Sequence, residues 1–118
     1  MAKRIGIVGS RRRDSLCDMR ILCDAFNEIF EEGDSIVSGG CTKGGDRFAE
    51  SIARDLGLTI VIHFPDWKKH GKAAGFVRNS MIAENCDVLL ALVAMDRTGG
   101  TEDTVRKAEK LAKKVVLV

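Results

Sequence analysis

Tyrosine is absent from the 118-residue chain, and one tryptophan with five phenylalanines makes up its whole aromatic complement. Binders of single-stranded nucleic acid usually combine a basic groove with aromatic platforms, so this shortage argues against that class. The formal net charge is only +2, too small by itself to imply a polyanionic partner. Histidine occurs twice, at His63 and His70, and the cysteines are Cys17, Cys23, Cys41 and Cys86. No C-x-x-C pair or other ligand-like spacing links them, so reduced thiols, no disulfide framework and no metal site are expected. Proline occurs once, at Pro65 in a loop, and no repeat, linker or low-complexity stretch divides the chain. No apolar run approaches the roughly 20 residues that span a bilayer. Met1-Ala2-Lys3-Arg4 leads straight into a strand-like run without the features of a secretory signal. A cytoplasmic protein with no membrane partner and no cofactor is the expectation.

What is present is 45 % hydrophobic residues in an alternating pattern, enough to bury a core. Arg4 to Val8 reads as a first strand. From Ser15 to about Glu31, Leu16, Met19, Leu22, Cys23, Phe26, Ile29 and Phe30 recur at helical spacing. Asp14 or Ser15 suits its N-cap and Gly33 its stop. A short second strand, Ser35 to Val37, precedes a helix from about Asp46 to Leu56 with Phe48, Ala49, Ile52, Ala53 and Leu56 inward, stopped by Gly57. Leu58 to Ile62 predicts a third strand, and a loop through Pro65, Trp67 and Gly71 leads to a helix from about Ala73 to Glu84. Asp87 to Val93 predicts the fourth strand. A last helix opens near Thr101 with Val105, Ala108, Leu111 and Ala112 inward, and Val115 to Val118 ends the chain as a strand. Cys17, Cys23 and Cys86 read as small apolar fillers in helical segments. Strands apolar on both faces and separated by helices predict a parallel sheet covered on both sides. The fold class is therefore α/β: one Rossmann-like domain over residues 1–118, with strand order 3-2-1-4-5.

In such sheets ligands bind beyond the carboxyl ends of the strands, and the chain's unusual residues gather there. Gly39, Gly40, Gly44, Gly45, Gly99 and Gly100 fill two strand-to-helix loops, where main-chain N–H groups can approach an anion. Arg11, Arg12, Arg13, Lys43, Arg47, Lys68, Lys69, Lys72, Arg78 and Arg97 fall in or beside the same edge. The pattern predicts a site for a phosphate-bearing, nucleotide-like small molecule. Backbone groups at Gly39, Gly40 and Gly44 with the hydroxyls of Ser10 and Ser38 would hold the phosphate, and Arg11 and Arg78 would neutralise it. The Ser38 to Gly45 loop, which includes Lys43, is the favoured main phosphate site. Asp46 either caps the second helix or reaches a ribose hydroxyl, and Thr101 likewise either caps the last helix or contacts the ligand. Gly9 is a further ligand-binding candidate at this edge, Gly99 and Gly100 let the ligand approach closely, Asn79 orients Arg78 or contacts a base, and Trp67 stacks on a base or packs as a lid. There is no G-x-G-x-x-G after the first strand and no G-x-x-x-x-G-K-[ST], which argues against dinucleotide dehydrogenases and P-loop NTPases.

The ordered run of Gly9-Ser10-Arg11 with Asp14, Ser38-Gly39-Gly40 with Gly44 and Asp46-Arg47, Pro65-Asp66-Trp67, Gly71 to Gly75, Arg78-Asn79 and Gly100-Thr101 with Thr104 resembles the SLOG superfamily, closest to its YspA-type branch. That superfamily includes the LOG phosphoribohydrolases and the DNA-binding DprA proteins. The resemblance implies binding of a nucleoside monophosphate, ADP-ribose or an NAD relative, by a sensor or binding module. It also implies the alternative of a LOG-like enzyme cleaving an N-glycosidic bond, with Arg78 matching the catalytic arginine in position. In such an enzyme Thr104 stands where the family carries glutamate, and Glu102 or Asp103 would have to replace it. DprA-like nucleic-acid binding ranks third. Relatives pair through helices, so a homo-oligomer is a further expectation.

Overall fold

Alternation along each strand builds two cores at once. In the computed structural model, which describes residues 2–118, β1 (Arg4–Gly9) sends Ile5 and Ile7 to one face and Val8 to the other, all buried. β2 (Ser35–Ser38) divides Ile36 from Val37 in the same way, and β4 (Val88–Leu92) divides Leu90 and Leu92 from Leu89 and Ala91. The first set packs on Leu22 and Phe26 of α1 (Leu16–Ile29) and on Phe48, Ala49 and Ile52 of α2 (Gly45–Leu56). The second packs on Ile82 and Ala83 of α4 (Ala74–Asn85) and on Val105 and Ala108 of α5 (Gly100–Lys110). Side chains of period two on strands and 3.6 on helices permit this three-layer arrangement.

With β3 (Ile60–Ile62) and β5 (Lys114–Leu117) at its edges, the sheet is all parallel in the order β3-β2-β1-β4-β5. The central pair runs in register from Ile5 opposite Val88 to Gly9 opposite Leu92. This is the Rossmann-like order that the pattern predicts. Helices α1 and α2 cover one face and α4 and α5 the other, so the winding reverses between β1 and β4, where a crevice opens.

Ends differ from expectation more than middles. Leu16 is 90 % exposed, and Leu56 and Leu111 are also exposed, because each lies at a helix end where the apolar stripe runs past the sheet. Cys17 is exposed, not a filler, and Cys86 is buried but lies just after α4. Leu58 gives its N–H to Ala53 O and so closes the end of α2 instead of starting β3. Trp67 is not in a loop. Asp66 accepts the Lys69 N–H and caps a one-turn helix, α3 (Trp67–His70), which runs through a 3₁₀ turn at Gly71–Ala73 into α4.

Candidate functional site

Close backbone contact shapes the floor of the crevice. A Cβ on Gly9 would lie 2.8 Å from the Gly45 backbone, so the end of β1 and the start of α2 meet without side chains between them. Gly44 holds φ +73 against the Ser10 carbonyl, a conformation and a contact that a side chain would oppose. Ser10 gives its N–H to Leu92 O at 2.9 Å, tying β1 to β4, and Arg13 N–H closes a turn onto Ser10 O with Arg11 at its tip.

Beyond this floor lies a hollow of about 370 Å³. One wall is the β1 turn, Gly9 to Arg12. The opposite wall is Thr98 to Thr101, including the first residues of α5. The N-cap of α5 is Gly99 at φ +106, and no side chain among the described residues caps it. Glu102 gives its N–H to Gly99 O, and the N–H groups before it and the helix dipole can face an anion. Thr104, 1 % exposed, also lines the hollow.

Arg78 stands at the back. Its Nη1 donates to Gly39 O at 2.7 Å and its Nε to Asn79 Oδ1 at 2.8 Å. Asn79, buried, donates in turn to Asp103 Oδ2 at 3.1 Å, which Lys107 also contacts at 2.8 Å. Asn79 thus orients Arg78. Neither Arg78 nor Arg11 has an ion-pair partner among the described residues. Arg12, Arg13, Arg47 and Arg97 do, with Asp96, Asp18, Asp14 and Glu102 respectively. Only part of the basic edge inferred from the sequence is therefore available to a ligand.

A second hollow, about 700 Å³, adjoins the first across Arg11, Arg78, Asn79 and Gly100. Gly39, Gly40 and Lys43 form one side, and Trp67, Phe76 and Lys72 the other. Trp67 is 60 % exposed over it. Phe76, unmarked in the sequence reading, lies just inside α4, where an aromatic residue looks like part of a core stripe.

Several expected roles are corrected. Ser38 is fully buried and its hydroxyl lies 2.8 Å from Ile7 O and 3.2 Å from Asp46 Oδ1, out of reach of a ligand. The Gly44 N–H donates to Asp14 Oδ1 at 2.7 Å, and the same oxygen takes Arg47 Nε at 3.0 Å. The N-terminus of α2 already has its anion from within the chain, and these contacts hold the Asp14 carboxyl below its usual pKa. Asp46 is not the helix cap, which is Gly44, but lines the first hollow and accepts the Cys41 N–H at 3.0 Å. Thr101 is the second residue of α5, not its cap. Glu102 and Asp103 line neither hollow. Glu102 is locked by two bonds of 2.8 Å from Arg97, whose guanidinium holds its carboxyl below the ordinary range. Gly9, Ser10, Arg11, Asp46, Arg78, Asn79, Gly99, Gly100, Thr101 and Thr104 all meet at the first hollow.

No family model matches the chain. It is 34 % identical over 115 residues to the Gene 61 protein of Mycobacterium phage D29, covering 92 % of this chain and 90 % of that one. Two solved structures of the molybdenum cofactor carrier protein from Chlamydomonas reinhardtii superpose on it. One has a TM-score of 0.75 at 24 % identity, covering 99 % of this chain and 76 % of the other. The second has a TM-score of 0.68 at 18 % identity, covering 100 % and 76 %. At these identities the likeness shows the shared fold.

Proposed function

The chain belongs to the family of the Gene 61 protein of Mycobacterium phage D29, a name that carries no chemistry, and we propose from the site itself that it binds a nucleotide or nucleotide-derived ligand without cleaving it. The phosphate lies against the N-terminus of α5, between Arg11 and Arg78, and the base extends into the second hollow beside Trp67. One observation carries this reading: two hollows adjoin across Arg78, the first with an uncapped helix N-terminus in its wall and the second with an exposed tryptophan. A planar guanidinium anchored at Nε and Nη1 is already oriented to bind phosphate oxygen. The resemblance to the SLOG superfamily supports the same ligand class. So does the fold shared with a protein that carries a small cofactor.

Cleavage of an N-glycosidic bond ranks lower. Glu102 is tied to Arg97 and Asp103 is engaged behind Asn79. Thr104, the remaining candidate at that helical turn, has no carboxylate to stabilise an oxocarbenium ion. Calorimetry with nucleoside monophosphates, ADP-ribose and NAD tests the proposal. Binding at micromolar Kd or tighter is expected for at least one of them. Arg78→Ala weakens it by roughly 10- to 100-fold, the loss of a charge-assisted contact. Absence of heat with the whole panel, or affinity indifferent to Arg78→Ala, contradicts the reading.

A further inference from the structure

The first hollow has donors on one wall and a buried acceptor on another. Asp46 is 6 % exposed in the first turn of α2 and lines the hollow. A buried carboxylate is normally paired with a cation or fully hydrogen-bonded. Asp46 has no ion pair within 4 Å among the described residues. Its Oδ2 accepts the Cys41 N–H at 3.0 Å. Its Oδ1 lies 3.2 Å from a Ser38 hydroxyl whose single proton also faces Ile7 O at 2.8 Å. Arg78 is close, but the Gly39 backbone stands between them and takes the Arg78 Nη1 bond. An ionised carboxylate offers about four acceptor sites, so capacity remains on the side facing the hollow. Burial pushes the Asp46 pKa up, against the opposing pull of the Cys41 N–H, the nearby Arg78 and the Ser38 hydroxyl.

We infer that Asp46 accepts hydroxyl groups of the ligand's sugar, so that the cleft takes a phosphate ester of ribose in preference to one of deoxyribose. This rests on the nucleotide-binding reading above and adds the sugar to it. An anion at α5 and a hydroxyl donor at Asp46 fit a phosphorylated polyol, and a vicinal diol matches the two oxygens of one carboxylate. The negative charge of Asp46 also repels phosphate from that end, which leaves the ligand one orientation. A buried carboxylate whose spare acceptor sites are filled only by a hydroxyl-bearing ligand discriminates against the analogue lacking that hydroxyl.

The test is calorimetry of the native protein and Asp46→Asn with the four ribonucleoside 5′-monophosphates and their 2′-deoxy counterparts. The native protein is expected to favour a ribonucleotide by about tenfold or more over its deoxy form, the worth of a hydrogen bond to a charged group. Asp46→Asn, which keeps an acceptor for Cys41, removes most of that preference by weakening the ribonucleotide alone. Equal affinity of the native protein for both sugars, or a preference that survives Asp46→Asn, overturns the inference while Arg78-dependent binding stands. The comparison of sugars on the native protein decides the matter even if the variant fails to fold. If none of the eight nucleotides binds, the nucleotide reading falls and this inference falls with it.

Discussion

At the scale of single residues, Gly39 sits tightly between two opposite charges. A Cβ built there would lie 2.8 Å from Arg78 Nη1 and 2.9 Å from Asp46 Oδ2. Gly39→Ala should therefore push the guanidinium off the Gly39 carbonyl and weaken binding of a nucleoside monophosphate about tenfold, at an overpacking cost of ~1–3 kcal/mol. Titration calorimetry with thermal melts separates the two effects, and an unchanged affinity in a folded variant would count against the arrangement. The sequence offered Gly39 as a donor to phosphate, whereas in the fold its carbonyl accepts the Arg78 Nη1 bond. Hydrogen bonding explains the difference for its neighbours too. Nothing local in the sequence reveals that Ser38 spends its hydroxyl on Ile7 O, or that the N–H of Gly44 is taken by Asp14, 30 positions away.

Elements are joined by carboxylates that reach across the fold. Asp14, before α1, caps the start of α2 through Gly44 and Arg47, and Asp87, before β4, accepts the Arg4 N–H at 2.8 Å and pairs with the Arg4 guanidinium. Backbone N–H donors lead in lowering both pKa values. A carboxyl whose folded pKa lies below its unfolded value stabilises the fold above the unfolded value and loses that contribution as pH falls through the folded one. Asp46, with its pKa raised, works in the opposite sense and gains on protonation. The melting temperature should hold near neutral pH and decline below about pH 4, the ordinary aspartate range. Asp14→Asn should make that decline shallower. Melts of both proteins across the acid range check this, and parallel curves would show that Asp14 is not coupled to folding. The middles of the helices were legible because apolar periodicity reports burial directly. Their ends were not, since Leu16, Leu56 and Leu111 keep the period after the sheet has stopped.

For the molecule as a whole, strand order and the reversal between β1 and β4 followed from alternating apolar strands and helices, and these alone place the crevice. What the pattern left open was which glycine-rich loop receives an anion. Both loops precede helices, both contain two adjacent glycines, and only the folded chain reveals that one helix start is occupied by Asp14 while the other has no side-chain cap among the described residues. Long-range ion pairs likewise decide which arginines remain available, since Arg12 lies 84 residues from its partner Asp96. The most direct measurement is a backbone amide NMR titration of the native protein with a bound nucleoside monophosphate, following each N–H shift. The amides of Arg11, Gly100 and Thr101 should move most, with Gly44 nearly still. Large shifts across Gly40 to Gly45 with α5 unmoved would contradict the account.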